Sequence, residues 1–159
     1  MDLPAVVFRT PVNTHFARLG GGLAVEKLVD AFYAHMARLP EAQGIRAMHT
    51  RDLGHVKRVL SAYLTEWMGG PKVYSPQRGA PRLGRVHSPY AIGPAERDAW
   101  MRCMDLALSQ CCPDDTLRAE LHAAFAKVAQ HLTRHGAMAQ SHADRFPVTA
   151  LPTPAGVQR

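Results

Sequence analysis

The sequence lacks long apolar runs and any cysteine pattern of a metal site or disulfide framework. No stretch of about 18 or more apolar residues appears, so no membrane-spanning helix is expected. Cys103, Cys111 and Cys112 are an odd number without a C-x-x-C pair, which excludes a zinc knuckle. No segment at the start has the charged-then-apolar pattern of a signal peptide. We therefore expect a cytoplasmic protein with reduced thiols.

Blocks of like charge are also absent. The formal net charge is +6 in 159 residues, but the basic residues are scattered from Arg9 to Arg159. The charge alone therefore gives little indication of nucleic acid or an acidic membrane as partner. With 47% hydrophobic and 20% charged residues, the composition and length suit one soluble globular domain.

Helical periodicity covers most of the chain, and no segment has the alternation of a strand. Apolar residues recur at helical spacing over 23–37 and 51–68, and glycine or proline interrupts the pattern between them. Gly93-Pro94-Ala95-Glu96 is a typical helix start, which predicts a helix to residue 111. A last helix is predicted over 115–135. We expect one all-α domain over residues 19–135, with flexible extensions over 1–18 and 136–159.

Residues 70–92 are rich in proline and glycine and leave room for one or two helical turns. Helix bundles favour short connections, and a long segment of this kind is usually functional or disordered. A flat apolar cofactor would give it something to pack against, and imidazole is a common ligand of haem iron. On these residues alone, His87 either ligates such an iron or caps a turn. Without C-x-x-C-H, any haem would be bound noncovalently, as haem b.

Five fragments of the sequence together resemble a known family. They are FY at 32–33, IRAMH at 45–49, WMGGPKVYSPQRGAPRL at 67–83, H-x-P-Y-A-I at 87–92 and ERDAWMRCM at 96–104. In this order and spacing they are similar to the group II truncated haemoglobins, over about residues 19–132. The resemblance implies the truncated globin fold, a two-over-two helical sandwich around haem b.

The resemblance also implies a set of site residues. It makes His87 the proximal ligand of the iron, and Tyr33, His49 and Trp100 the distal residues that hydrogen-bond to a bound ligand. Other residues are expected to contact the haem or its propionates: Phe32, Val56, Leu60, Tyr63, Lys72, Tyr74, Arg78, Leu83, Arg85, Tyr90 and Met104.

The chain departs from the family's pattern at three positions. Val86 and Val59 stand where basic residues that reach propionates are common, and Tyr90 replaces a common phenylalanine. Part of the electrostatic attachment of the haem is therefore missing from the expected places. Trp100 also has a structural interpretation as a core aromatic residue, and both interpretations are compatible because its ring packs while its N–H donates.

The implied function is reversible binding of dioxygen, carbon monoxide, nitric oxide or other small ligands. Nitric oxide dioxygenase or peroxidase-like activity would use the same pocket, which leaves enzymatic activity open. An electron-donating reductase is a further expected partner, since the chain has no flavin or nicotinamide motif, and a homodimer is left open. The alternative from another class is a haem-free basic helical module that binds nucleic acid.

Overall fold

Helices are the only regular secondary structure in the computed structural model, which describes residues 13–87 and 89–145. This confirms the all-α class. The elements are α1 (His15–Leu19), α2 (Gly22–Arg38), a 3₁₀ turn (Pro40–Ala42), α3 (Gln43–Ala47), α4 (Gly54–Trp67), α5 (Ser75–Arg78), α6 (Leu83–His87), α7 (Pro94–Cys111) and α8 (Asp115–Arg145). No helix in the described ranges is both long and apolar enough to cross a membrane.

The four long helices α2, α4, α7 and α8 correspond to the four predicted segments. Helix α1 begins within the segment predicted as an N-terminal extension and ends at Leu19, the first residue of the predicted domain, and α8 continues to Arg145 instead of ending near residue 135. The remainder of both predicted extensions, residues 1–12 and 146–159, lies outside the described residues.

Two helix pairs build the core. Helix α2 packs against α4 and, most extensively, against α7, which in turn packs against α8. The buried stripe of α2 contains Val25, Leu28, Phe32 and Met36, at the three- and four-residue spacing of one helix face. Full burial of such a side chain contributes about 1.5–3 kcal/mol, so this stripe fixes the position of α2 in the core.

Helix α7 starts and packs as its sequence predicts. The Gly93 N–H donates to Glu96 Oε2 at 2.9 Å, and Pro94 follows at the first helical position. The small residues Ala99, Cys103 and Ala107 are buried four positions apart, which lets α2 approach closely. Burial raises the pKa of the Cys103 thiol to about 11, so this cysteine stays protonated and unreactive at neutral pH.

The junction after α4 is fixed by the N-terminal segment. The Phe16 N–H donates to the Met68 carbonyl at 2.9 Å, and the Asn13 side-chain amide donates to the Trp67 carbonyl at 3.0 Å. Gly69 has φ +91°, in the left-handed region that favours glycine. The chain therefore leaves α4 in a defined direction, toward the segment that carries α5 and α6.

Candidate functional site

His87 is the last residue of α6, and its ring orientation is fixed by the backbone. Nδ1 lies 2.7 Å from the Leu83 carbonyl oxygen, four residues earlier. A carbonyl only accepts, so Nδ1 carries the proton and Nε2 keeps its lone pair. Nε2 forms no hydrogen bond with any described residue. A half-buried imidazole held in this way is oriented as metal-ligating histidines usually are.

The structure links the three predicted distal residues through ring contacts with Phe32 and Tyr33. The ring centroid of Phe32 lies 5.0 Å from that of Tyr33 and 5.3 Å from that of Trp100. The Tyr33 ring in turn contacts His49 edge-to-face at 5.6 Å. These side chains come from α2, the segment after α3 and α7, which are separated in sequence and meet only in the folded domain.

Tyr33 and Trp100 have hydrogen-bond donors without partners among the described residues. Tyr33 is only 4% exposed, and burial raises the pKa of its phenol to about 12. The hydroxyl is therefore a neutral donor across the physiological range. The indole N–H of half-buried Trp100 is a donor only. Both groups are available to a ligand that offers a hydrogen-bond acceptor.

His49 has the same backbone anchor as His87. Its Nδ1 lies 2.8 Å from the carbonyl oxygen of Ile45, four residues earlier. In the neutral ring Nδ1 is then the donor, and Nε2 is an acceptor. A neutral His49 therefore has no donor left for a bound ligand, and its contact with the distal site is the edge-to-face packing against the Tyr33 ring.

An incompletely covered apolar surface lies on the helices around these groups. Leu64 is the one fully buried residue of α4, whereas Val56, Leu60 and Tyr63 are half-buried although they touch the core. Leu83 on α6 is half-buried as well. Apolar faces of this kind and a histidine with an available lone pair suit a haem, and the two unpaired donors suit a ligand bound to its iron. The residues present therefore fit a haem.

Two of the residues predicted to contact a haem are almost fully buried in the protein core. Met104 is 0% exposed and Phe32 is similarly enclosed in the core. Phe32 still orders the ring cluster through Tyr33 and Trp100. For Met104, the structure supports a core role, and its predicted contact with a haem stays a prediction. Tyr90 is exposed, as are the predicted propionate partners Lys72, Arg78 and Arg85.

Tyr74, the remaining predicted propionate partner, is positioned by a residue that the sequence analysis missed. Glu66 Oε2 accepts hydrogen bonds from the N–H groups of Tyr74 and Ser75, each at 2.9 Å. Hydrogen bonds from Ser75, followed by that from Tyr74, lower the pKa of Glu66. The ring of Tyr74 also contacts Tyr63 edge-to-face at 5.6 Å. The sequence feature that could have indicated this contact is a glutamate at the end of a predicted helix, a few residues before the backbone N–H groups that it binds.

Comparison with known proteins gives the family. The model of the bacterial-like globins matches residues 14–134. The chain belongs to this family. The globin is 29% identical over 120 residues to group 2 truncated hemoglobin YjbI of Bacillus subtilis (strain 168), an alignment that covers 76% of this chain and 88% of that protein.

Solved structures agree with this assignment. The globin is similar to the group II 2-on-2 hemoglobin from the plant pathogen Agrobacterium tumefaciens, with a TM-score of 0.72 and 36% identity over 79% of this chain and 96% of that one. It is also similar to the cold-adapted truncated hemoglobin of the Antarctic marine bacterium Pseudoalteromonas haloplanktis TAC125, with a TM-score of 0.72 and 30% identity over 74% and 95% of the two chains.

These findings confirm the resemblance to group II truncated haemoglobins and the two-over-two globin fold. Membership of the globin family implies a haem cofactor and binding of small diatomic ligands. Nothing in the comparisons supports the alternative of a haem-free module that binds nucleic acid.

Proposed function

We propose that the globin binds haem b noncovalently, with His87 as the protein ligand of the iron, and takes up dioxygen and other small ligands reversibly. The observation that carries this proposal is the hydrogen bond from His87 Nδ1 to the Leu83 carbonyl. It fixes the tautomer in which Nε2 offers its lone pair.

When bound, the haem supplies the iron at which a diatomic ligand is held. The chain's part on the distal side is hydrogen bonding. The Tyr33 hydroxyl and the Trp100 indole N–H donate to the ligand, while the edge-to-face contact of His49 holds the Tyr33 ring in place. Each donor contributes about 1–3 kcal/mol in a site from which water is excluded. Their main effect is to slow escape of the ligand.

Apolar contact holds the cofactor, with a smaller electrostatic share. Val56, Leu60 and Leu83 offer their half-buried apolar surfaces to the haem faces. Tyr74, which Glu66 positions, would hold the propionates together with Lys72, Arg78 and Arg85. Val86 and Val59 supply no charge, so retention depends more on apolar burial than on ion pairs.

The test is the visible spectrum of the ferrous protein with and without carbon monoxide, for wild type, His87→Gly and the control His55→Gly. His55 is an exposed histidine on α4 and is outside the proposed site. We expect a strong Soret band that shifts with carbon monoxide in wild type and in the control. In His87→Gly the band should weaken and recover with added imidazole.

Two results would contradict the proposal in different ways. An unchanged spectrum of His87→Gly without imidazole would show that another group ligates the iron. A colourless wild type that also fails to take up haemin would overturn haem binding as a whole.

A further inference from the structure

The segment that carries His87 has several cationic residues and no carboxylate of its own. Residues 67–95 include Lys72, Arg78, Arg82 and Arg85 but no aspartate or glutamate. All four cations are exposed. The side chains of Lys72, Arg78 and Arg82 form no ion pair or hydrogen bond within the part of the chain that the structure describes. Of these three, Arg82 is outside the proposed propionate contacts, and its charge is therefore available to a partner.

Exposed apolar side chains lie on the same segment. Of the four large apolar residues that are exposed in the described ranges, three are found here: Val73 at 40%, Val86 at 59% and Tyr90 at 42%. Exposed apolar residues rimmed by charge are typical of surfaces that bind other proteins. We define the docking surface as Arg82 and Val86, which lie one helical turn apart because the Val86 N–H donates to the Arg82 carbonyl at 3.0 Å.

We propose that this docking surface binds an acidic protein that donates one electron to the haem iron. The inference rests on the proposed function, because it requires a haem ligated by His87. Val86 directly precedes His87 on α6. A partner seated on the docking surface would therefore lie next to the residue that would hold the iron.

The chemistry of the site creates the need for such a partner. Reversible dioxygen binding requires ferrous iron, and ferric iron must be reduced before the site can work. The sequence contains no flavin or nicotinamide motif. In the proposed step an anionic flavin hydroquinone on the partner loses one electron and becomes the neutral semiquinone, while ferric iron becomes ferrous. No bond breaks and no proton moves.

Two other classes of partner fit the docking surface less well. Tight binding of nucleic acid commonly uses about six to ten phosphate contacts, more than the four cations of this segment provide. An interfacial membrane helix needs a long amphipathic face, whereas α5 and α6 have four and five residues. Electron-transfer complexes, in contrast, are small and transient, and complementary charge steers their association.

The experiment uses the full-length haem-loaded protein and an acidic flavodoxin carrying FMN as the probe. Binding of oxidised flavodoxin is measured by calorimetry, and reduction of the ferric protein by hydroquinone flavodoxin is followed by stopped flow under carbon monoxide. The decisive variant is Arg82→Glu, because Arg82 is outside the proposed haem contacts. The matched control is Arg102→Glu, which makes the same change of charge at an exposed arginine of α7.

We expect Arg82→Glu to slow reduction about tenfold at low salt, and about 300 mM NaCl to slow wild type to a similar extent. Arg102→Glu should change the rate less than about twofold, since it is on another element. Val86→Ser should weaken binding of oxidised flavodoxin without changing the net charge. Soret bands and thermal midpoints of all variants should equal those of wild type.

Three results would contradict these proposals in different ways. Equal effects of Arg82→Glu and Arg102→Glu in a red protein would show that only net charge matters and would overturn the docking surface alone. Tighter, Arg82-dependent binding to a duplex oligonucleotide or to phosphatidylglycerol vesicles than to flavodoxin would assign the surface to another partner. A chain without a Soret band would overturn the proposed function itself.

Discussion

At the scale of single residues, the same hydrogen bond to a backbone carbonyl determines which ring nitrogen two histidines present. In both His87 and His49, Nδ1 faces the carbonyl of the residue four positions earlier, at 2.7 and 2.8 Å. Each ring therefore presents Nε2 as a lone pair. The difference between a metal ligand and a hydrogen-bond acceptor then depends on the surroundings, since His49 meets the ring of Tyr33.

Tyr33 should remain a hydrogen-bond donor in alkaline solution. An ordinary phenol has a pKa of 10.0, and burial raises that of Tyr33 to about 12. Burial favours the neutral form, so the donor is fully present below the ordinary pKa and is lost only as the pH rises through about 12. We expect Tyr33→Phe to speed dioxygen dissociation severalfold, by the same factor at about pH 7 and about pH 10.5. Stopped-flow measurement of dioxygen release checks this.

Trp100→Leu provides the matched control for this prediction, because an indole N–H does not titrate in this range. Its dissociation rate should also rise severalfold over wild type, and by a constant factor at both pH values. If the effect of Tyr33→Phe disappears at about pH 10.5 while that of Trp100→Leu persists, the phenol titrates normally and is not buried as described. An unchanged rate in Trp100→Leu would remove the tryptophan from the ligand network.

At the scale of elements, the turn after α4 depends on the absence of side chains at two positions. A Cβ on Gly70 would lie 2.7 Å from the Phe16 ring and from the Thr65 carbonyl oxygen, and one on Gly69 would collide with the Asn13 carbonyl. These close approaches allow the N-terminal segment to cover the end of α4. The same turn directs the chain toward α5 and α6, and hence toward His87.

Gly70→Ala should therefore destabilise the protein, while Gly44→Ala should not. Thr65 and Phe16 are both held by their helices, so relief of the collision requires a backbone shift that costs about 1–3 kcal/mol. Nothing lies within 4 Å of a Cβ on Gly44 in α3, where alanine favours the helix by about 0.5–1 kcal/mol. Thermal unfolding should give a lower midpoint for Gly70→Ala and an equal or higher one for Gly44→Ala. Equal midpoints would show that the turn tolerates a side chain.

The sequence predicted those elements whose signals are local. The stripes of α2 and α4 and the start of α7 are encoded within single segments, so periodicity and the Gly93-Pro94-Ala95-Glu96 pattern located them. Helix α1 was not predicted because contacts with residues distant in sequence stabilise it: Arg18 Nη1 donates to Glu120 Oε2 of α8 at 2.7 Å. Helices α5 and α6 have too few residues to show a period.

At the scale of the whole molecule, the site could not be derived from spacing. Tyr33, His49, Trp100 and His87 are on four different parts of the fold, and only the packing of α2 against α7 brings Tyr33 and Trp100 to the same phenylalanine. The resemblance to a family supplied that juxtaposition in advance. It did not supply Glu66. The role of Glu66 depends on the turn at Gly69, after which the N–H groups of Tyr74 and Ser75 lie against its carboxylate.

The parts of the chain that the domain needs are open to a truncation test. The core and the candidate site described above lie between Asn13 and Thr133, and the family match covers residues 14–134. We expect removal of residues 1–12 and 146–159 to leave the Soret band unchanged and the thermal midpoint within about 2 °C of wild type, which for this size corresponds to less than about 1 kcal/mol.

Removal of residues 1–19 is the contrasting variant. It deletes the bond between the Phe16 N–H and Met68 and the buried side chain of Leu19, a loss of at least about 1.5–3 kcal/mol. Its midpoint should fall by several degrees, whereas equal midpoints for the two truncations would show that α1 contributes nothing to the domain.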